Sequence, residues 1–221
     1  RSRADGGAVA FSESCRACPR LAAFLDACRA EHPDYHARPV SPFGDATPHL
    51  LIVGLAPGMH GANRSGRPFT GDFAGILLYR TLHKFGFASA AVSTARDDGL
   101  TLTACRITNA VKCLPPQNKP ATDEVKRCNG FLREELAALN RGAVVLALGA
   151  IAHQAVLMAT GTRRAAAPFA HGARHRLEGG LTLVDSYHCS RYNTQTRRLT
   201  DAMFEQVFAD IATLLRADGG A

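Results

Sequence analysis

Four apolar runs with strand composition alternate with stretches of helical period, and that alternation limits what this chain can fold into more than any other feature. The runs are Leu50–Val53, Leu100–Val111, Ala143–Leu148 and Leu181–Val184. Strands interleaved with helices bury both faces of a mostly parallel sheet. The expectation is an α/β fold: a three-layer α/β/α sandwich around a central, four-stranded, mostly parallel sheet. A chain of 221 residues, 46% of them hydrophobic, suffices for one well-buried core. Residues 1–221 therefore read as a single domain, with residues 1–12, small and polar, as a loose N-terminus.

The intervening helices carry their own signals. Leu21–Arg29 places Leu21, Phe24, Leu25 and Cys28 on one face. Gly75–Phe85 reads as a helix with Ile76, Leu78, Leu82 and Phe85 inward and Gly86 as its stop. Thr122 is suited to cap a helix running to about Asn140, with Asp123 and Glu124 in its first turn and Val125, Cys128, Leu132, Leu136 and Leu139 on its apolar stripe. Ala150–Ala159 is a short helix. The last helix takes Thr200 as its cap, staples Leu199 to Phe204, and buries Phe204, Val207, Phe208, Ile211 and Leu215. Two segments read as connections: His32–Pro48 with four prolines, and the basic stretch Thr160–Gly180, an edge hairpin or solvated loop.

Polar chemistry gathers where the strands end. Leu50–Val53 stops at Gly54 and gives way to a loop with four glycines and two prolines that carries His60, Asn63, Arg64, Arg67, Phe69 and Asp72. The second strand ends in Asn109, Lys112 and Cys113, and the fourth in Tyr187–Thr200, YHCSRYNTQTRRLT. In open α/β sheets, ligands bind in the crevice beyond the carboxyl ends of the strands.

Lys and Arg outnumber Asp and Glu by 26 to 19, a formal charge of +7, and Arg191, Arg197 and Arg198 share one short segment. Such a surface suits a polyanion. There is no apolar run of the length that spans a membrane and no signal-peptide layout at the first residues, so the expected location is the cytoplasm. The seven cysteines are odd in number, which argues against a disulfide framework and for metal. Cys15 and Cys18 form a C-x2-C pair, compatible with zinc, an iron–sulfur cluster or a redox dithiol. Cys28 and Cys128 both fall on apolar helix faces, and Cys128 is placed to meet Cys113.

The motifs CRACPRL, GLAPGMHGANRSGRPFTGD, ITNAVKC and YHCSRYNTQTRRLT, in that order over Cys15–Leu199, resemble the uracil-DNA glycosylase superfamily, and within it the iron–sulfur family 5. The resemblance implies a monofunctional DNA glycosylase that hydrolyses the N-glycosidic bond of uracil and other deaminated bases, leaving an abasic site for base-excision repair. It also implies a structural 4Fe-4S cluster, for which Cys15, Cys18, Cys113 and Cys128 bring three segments together; zinc on the same thiolates is the alternative. The expected partner is DNA containing uracil or other deaminated bases, met by a monomer without membrane attachment. Two departures stand out. The last motif reads His188-Cys189-Ser190 where the superfamily commonly has His-Pro-Ser, and Ala56 stands where the best-known class keeps a water-activating Asp. The second reading is therefore a non-catalytic iron–sulfur module that only recognises damaged bases or nucleic acid. A small electron-transfer protein is a third, suggested by the cysteines alone.

Glycosidic cleavage needs donors aimed at the departing base and groups that hold water at the sugar. Asp72, His188, Asn63 and Asn193 are the catalytic candidates: His188 donates to the base, and the other three are candidates to hold water. Gly54, Leu55, Ala56, Gly58, Phe69 and Asn109 are the base-binding candidates, with Phe69 stacking, Asn109 offering a matched acceptor and donor, and Gly58 leaving room. Arg64, Arg67, Ser190, Arg191, Tyr192 and Arg197 are the candidates for contact with DNA, Arg191 and Tyr192 by insertion beside the vacated base and Arg197, with Arg198, at phosphates.

Overall fold

The computed structural model describes residues 11–218. Its strands are β1 (Phe43–Gly44), β2 (Leu50–Gly54), β3 (Cys105–Asn109), β4 (Val144–Leu148), β5 (Arg174–Arg176) and β6 (Thr182–Ser186). The helices are α1 (Pro19–Glu31), α2 (Ala62–Ser65), α3 (Phe73–Lys84), α4 (Thr122–Ala137), α5 (Ala150–Thr160), α6 (Arg191–Gln195) and α7 (Asp201–Asp218). Among the described residues they make one sheet in the order β1-β3-β2-β4-β6-β5. The inner four strands are parallel, as expected. The sheet nevertheless has six strands rather than four, because β1 and β5 add antiparallel edges to β3 and β6. Both edges are too short to show a period of two: β1 lies in the proline-rich connection and β5 in the basic stretch.

The strands β2, β4 and β6 are buried throughout, so alternate residues feed two cores. Leu50 and Ile52 meet Leu78, Leu82, Phe204 and Phe208 beneath α3 and α7. Leu51 and Val53 meet Val125, Leu132, Ala155 and Val156 beneath α4 and α5. Helix α1 packs at the margin, where Leu25 and Cys28 close over Ala37 and Leu114. Thr200 caps α7 through its hydroxyl, which accepts from the Met203 N–H at 3.2 Å, and Leu199 and Phe204 share the core beside it.

Several boundaries differ from the sequence reading. The second strand keeps only Cys105–Asn109, since Ala104 turns to φ 53° and Leu102 bridges to Ala88 outside the sheet. Helix α3 starts at Phe73, capped by Asp72, and buries Leu77, Leu78, Thr81 and Leu82, which leaves Ile76 facing outward at 61% exposure. Helix α4 starts one residue after Ala121, whose N–H donates to Glu124 Oε2 at 2.7 Å, so Thr122 lies inside the helix rather than capping it. The helix ends at Ala137. Part of Tyr187–Thr200 winds into α6, capped by Ser190, which accepts from the Asn193 N–H at 3.4 Å. Of the N-terminus expected to be loose, residues 1–10 lie outside the described residues. Phe11 is packed edge-on against Phe131, with ring centroids 5.6 Å apart.

Candidate active site

The carboxyl ends of the four parallel strands meet at a cavity of about 490 Å³. Leu55 and Ala56 follow β2, Asn109 ends β3, Leu148 ends β4 with Gly149 after it, and His188 and Ser190 follow β6. Gly58, Ala62, Phe69 and Asp72 come from the glycine-rich loop, and Arg191 closes the rim.

Two rings form the wall. Phe69 and His188 lie within 29° of parallel with centroids 5.9 Å apart. Phe69 holds a left-handed backbone, φ 54°, unusual for a bulky residue. The surroundings enforce it: Tyr79 donates to the Pro68 carbonyl at 2.9 Å, and Gly75 packs so closely that a Cβ there would come within 1.8 Å of the Phe69 carbonyl oxygen. Gly54 does the same for the floor. A Cβ on Gly54 would lie 2.4 Å from Asn109 Oδ1 and 2.7 Å from the Phe69 ring. Asn109 is buried, and its Oδ1 takes no hydrogen bond from the described residues. Burial among these groups pushes the His188 imidazole down to about 4, so it is neutral at neutral pH.

Asp72 serves two purposes. Oδ1 accepts from the Gly75 N–H at 2.8 Å and caps α3, while Oδ2 is turned toward Gly58 and Gly61. Burial raises its pKa against the backbone hydrogen bonds that lower it, which makes it a stronger base than an exposed Asp. Asn63 is fully buried, with neither Oδ1 nor Nδ2 partnered among the described residues. Asn193 is committed otherwise than expected: its Nδ2 donates to the His188 carbonyl at 2.8 Å, fastening the loop that presents the imidazole instead of reaching for water.

Of the basic candidates, Arg64, Arg191 and Arg197 are exposed, and so is Tyr192 at 71%. The Arg191 guanidinium lies 5.1 Å over the Phe73 ring. Arg67 is turned inward, against the expectation of DNA contact. It is 3% exposed, pairs with Asp98 at 2.7 Å, donates to the Arg96 carbonyl at 2.6 Å, and sits 4.4 Å over the Phe43 ring. Burial works to raise the Asp98 pKa, but hydrogen bonds from Arg67 and from the Leu100, Thr94 and Ala95 N–H groups outweigh it and hold the carboxyl well below the usual range.

Beside the core formed with Leu51 and Val53, Cys15, Cys18, Cys113 and Cys128 line one recess walled by Phe11, Leu21, Val111 and Phe131. All four are free thiols. Burial, together with Cys128, Cys15 and Cys18 close by, pushes the Cys113 thiol up to about 12. The Lys112 N–H donates to Cys128 Sγ at 3.3 Å. Cys28, Cys105 and Cys189 lie elsewhere, in apolar core.

A model of the uracil DNA glycosylase superfamily matches residues 41–212. The chain belongs to the uracil-DNA glycosylase superfamily. Within that superfamily it is 47% identical over 208 residues to a type-5 uracil-DNA glycosylase of Thermus thermophilus, an alignment covering 91% of this chain and 94% of that protein. A type-5 uracil-DNA glycosylase of Pyrobaculum aerophilum is 41% identical, covering 94% and 90%. A type-4 uracil-DNA glycosylase of Thermotoga maritima is 34% identical over 110 residues, about half of each chain. The segments GLAPGMHGANRSGRPFTGD, ITNAVKC and YHCSRYNTQTRRLT converge on one cavity from three strand ends. Sequence reasoning missed Phe73, Leu148, Ile151 and Asn118, which also line it. Asn118 had a usable signal: it belongs to the proline-rich LPPQNKPAT loop, and its φ of 54° is one that Asn tolerates.

Proposed function

We propose that the protein is a monofunctional DNA glycosylase that removes uracil, and other deaminated bases that the same cavity admits, from DNA. The observation that carries this reading is the cavity itself: the Phe69 and His188 rings line its wall, and an unpartnered Asn109 Oδ1 lies at its floor. A pyrimidine turned out of the helix stacks on Phe69 and meets the Asn109 amide with its own donor and acceptor edge. Water attacks C1′ of the sugar as the C1′–N1 bond breaks. The bonding pair leaves with the base, whose oxygen-borne negative charge is met by an N–H of neutral His188. Asp72 Oδ2 orients the water and accepts its proton, and the unpaired Asn63 amide is the second candidate to hold that water.

Arg191 and Tyr192 stand exposed at the rim, suited to fill the space the base vacates, while Arg64 and Arg197 offer charge to phosphates. Cys15, Cys18, Cys113 and Cys128 would hold a 4Fe-4S cluster, a fit supported by four thiols in one apolar recess. Zinc on the same four thiolates is the alternative. Glycosidic hydrolysis moves no electrons, so the bound cluster contributes cross-linking. No described helix is long and apolar enough to cross a membrane, and the reading is of a monomer acting in the cytoplasm, where free thiols persist.

The test is incubation of purified protein with uracil-containing oligonucleotides. Alkali-labile abasic sites that vanish in Asp72→Ala and His188→Ala bear the proposal out. Tight binding without cleavage would establish the non-catalytic alternative.

A further inference from the structure

We infer that His153, His175 and Asp185 form a second metal site, for a single divalent cation of the zinc type, behind the active cavity. Helix α5 supplies His153, the edge strand β5 supplies His175, and β6 supplies Asp185. One nitrogen from each imidazole and a carboxylate oxygen lie within 4.8 Å of one another. His153 and Asp185 have side chains 3% and 0% exposed, and His175 is 14% exposed, leaving a way in from the sheet edge.

Hydrogen-bond bookkeeping points to a cation. His153 Nε2 lies 2.9 Å from the Ala167 carbonyl, which only accepts, so the ring N–H belongs there. Its Nδ1 then turns a lone pair toward Asp185 Oδ1 at 2.7 Å. The other carboxylate oxygen, Oδ2, faces His175 Nε2 at 3.4 Å, and neither of these two buried atoms is hydrogen-bonded among the described residues. At the His153–Asp185 contact two lone pairs face each other and need a proton or a cation between them; His175 Nε2 and Asp185 Oδ2, 3.4 Å apart, make no hydrogen bond, and one cation answers both. Imidazole nitrogens and a carboxylate suit zinc, with bonds of about 2.0–2.2 Å, and seating the ion requires the His153–Asp185 contact to open by about half an ångström. The His153 bond to a backbone carbonyl is the arrangement that fixes a metal-bound imidazole in its tautomer. The Phe169 edge, centroid 5.5 Å from His153, shields the far side.

The ion would clip the β5 edge to the end of β6 and the first turn of α5. His188 follows Asp185 by three residues, and Ala150 and Ile151 of α5 line the cavity. The site is thus structural, holding the strand end that presents the imidazole.

Protein purified without a metal-affinity tag is titrated with cobalt chloride and read by visible absorption, with zinc content measured in parallel. The expected result is about one equivalent per chain bound with weak d–d bands and no intense thiolate-to-metal charge transfer, because no sulfur takes part. His175→Asn, at the accessible edge, should weaken that binding by at least about tenfold, and Asp185→Asn should abolish it. Cys113→Ala should leave the sulfur-free bands in place. Folded wild-type protein that takes up neither cobalt nor zinc beyond its cysteine site would overturn the inference, since protons alone would then fill the gaps. So would uptake unchanged in His175→Asn.

Discussion

Adding one methyl group at Gly54 tests whether Phe69 and Asn109 form the base-binding slot. In Gly54→Ala the new Cβ would stand 2.4 Å from Asn109 Oδ1 and 2.7 and 2.8 Å from two carbons of the Phe69 ring. Ordinary carbon contacts lie at about 3.5–4.0 Å, so the amide and the ring must each withdraw by roughly an ångström. Backbone strain does not enter, because Gly54 is not among the positive-φ glycines. Overfilling a close-packed interior in this way costs about 1–3 kcal/mol, which for a chain of this size lowers Tm by roughly 2–4 °C per kcal/mol. The catalytic loss should be larger, since misplacing a binding group by about 1 Å can cost about 10²-fold. Single-turnover cleavage of a uracil oligonucleotide, measured well below Tm, should therefore fall by about that factor. Introducing Asn109→Ala into the Gly54→Ala chain should then lose much less than Asn109→Ala loses in wild type, because both act on the same contact. A folded Gly54→Ala protein cleaving within about threefold of wild type would refute the slot and free both residues from any part in it.

The remaining predictions concern charge and metal. The native pKa of His188, about 4, lies below the ordinary 6.5; between these values the unfolded chain binds the proton first. Stability should fall with decreasing pH across that window by up to about 1.4 kcal/mol per unit. Urea midpoints at pH 7 and pH 5 should show a smaller difference in His188→Phe than in wild type, and an identical slope would place His188 in water. Arg67→Ala removes a buried guanidinium from Asp98, whose carboxylate keeps its backbone N–H bonds and contact with water, and should cost about 1–3 kcal/mol, with the salt slope of DNA binding unchanged. Arg197→Ala should leave Tm alone and reduce that slope by about one; the opposite pattern in filter-binding and melting data would exchange their assignments. Cys113→Ala should lose iron and the visible absorption of a cluster, whereas Cys28→Ala, which does not line the recess, should keep both.

The parallel sheet and the cavity at its carboxyl ends were legible because burial on both faces leaves near-continuous apolar runs, and polar residues pile up where those runs stop. Gly54, Asn109 and His188 all lie within two residues of a strand end, so locating the strands located them. Arg67 was misread because its partner, Asp98, is 31 residues away, and no local period reports such a pair; a surplus of arginine simply looks like surface. Asn193 looked like a water ligand until α6 formed and turned its amide toward the His188 carbonyl. Ile76 went wrong because it stands only two residues before Leu78, about 200° round a helix, so the two cannot share one buried face. The edges β1 and β5 exist only through pairing with β3 and β6, and no pattern of two or three residues reveals that.

The strained backbone of Phe69 bears on how such a protein changes over generations. A bulky residue at φ 54° carries an energetic penalty of order 1–3 kcal/mol, and glycine at that position would relieve it. Phe69→Gly should therefore weaken base binding while giving back part of the stability lost with the ring. A lineage that no longer needed to grip a base would drift toward glycine or asparagine there, gaining robustness. An aromatic retained against that pressure is a mark of selection for activity, readable in any descendant without an assay.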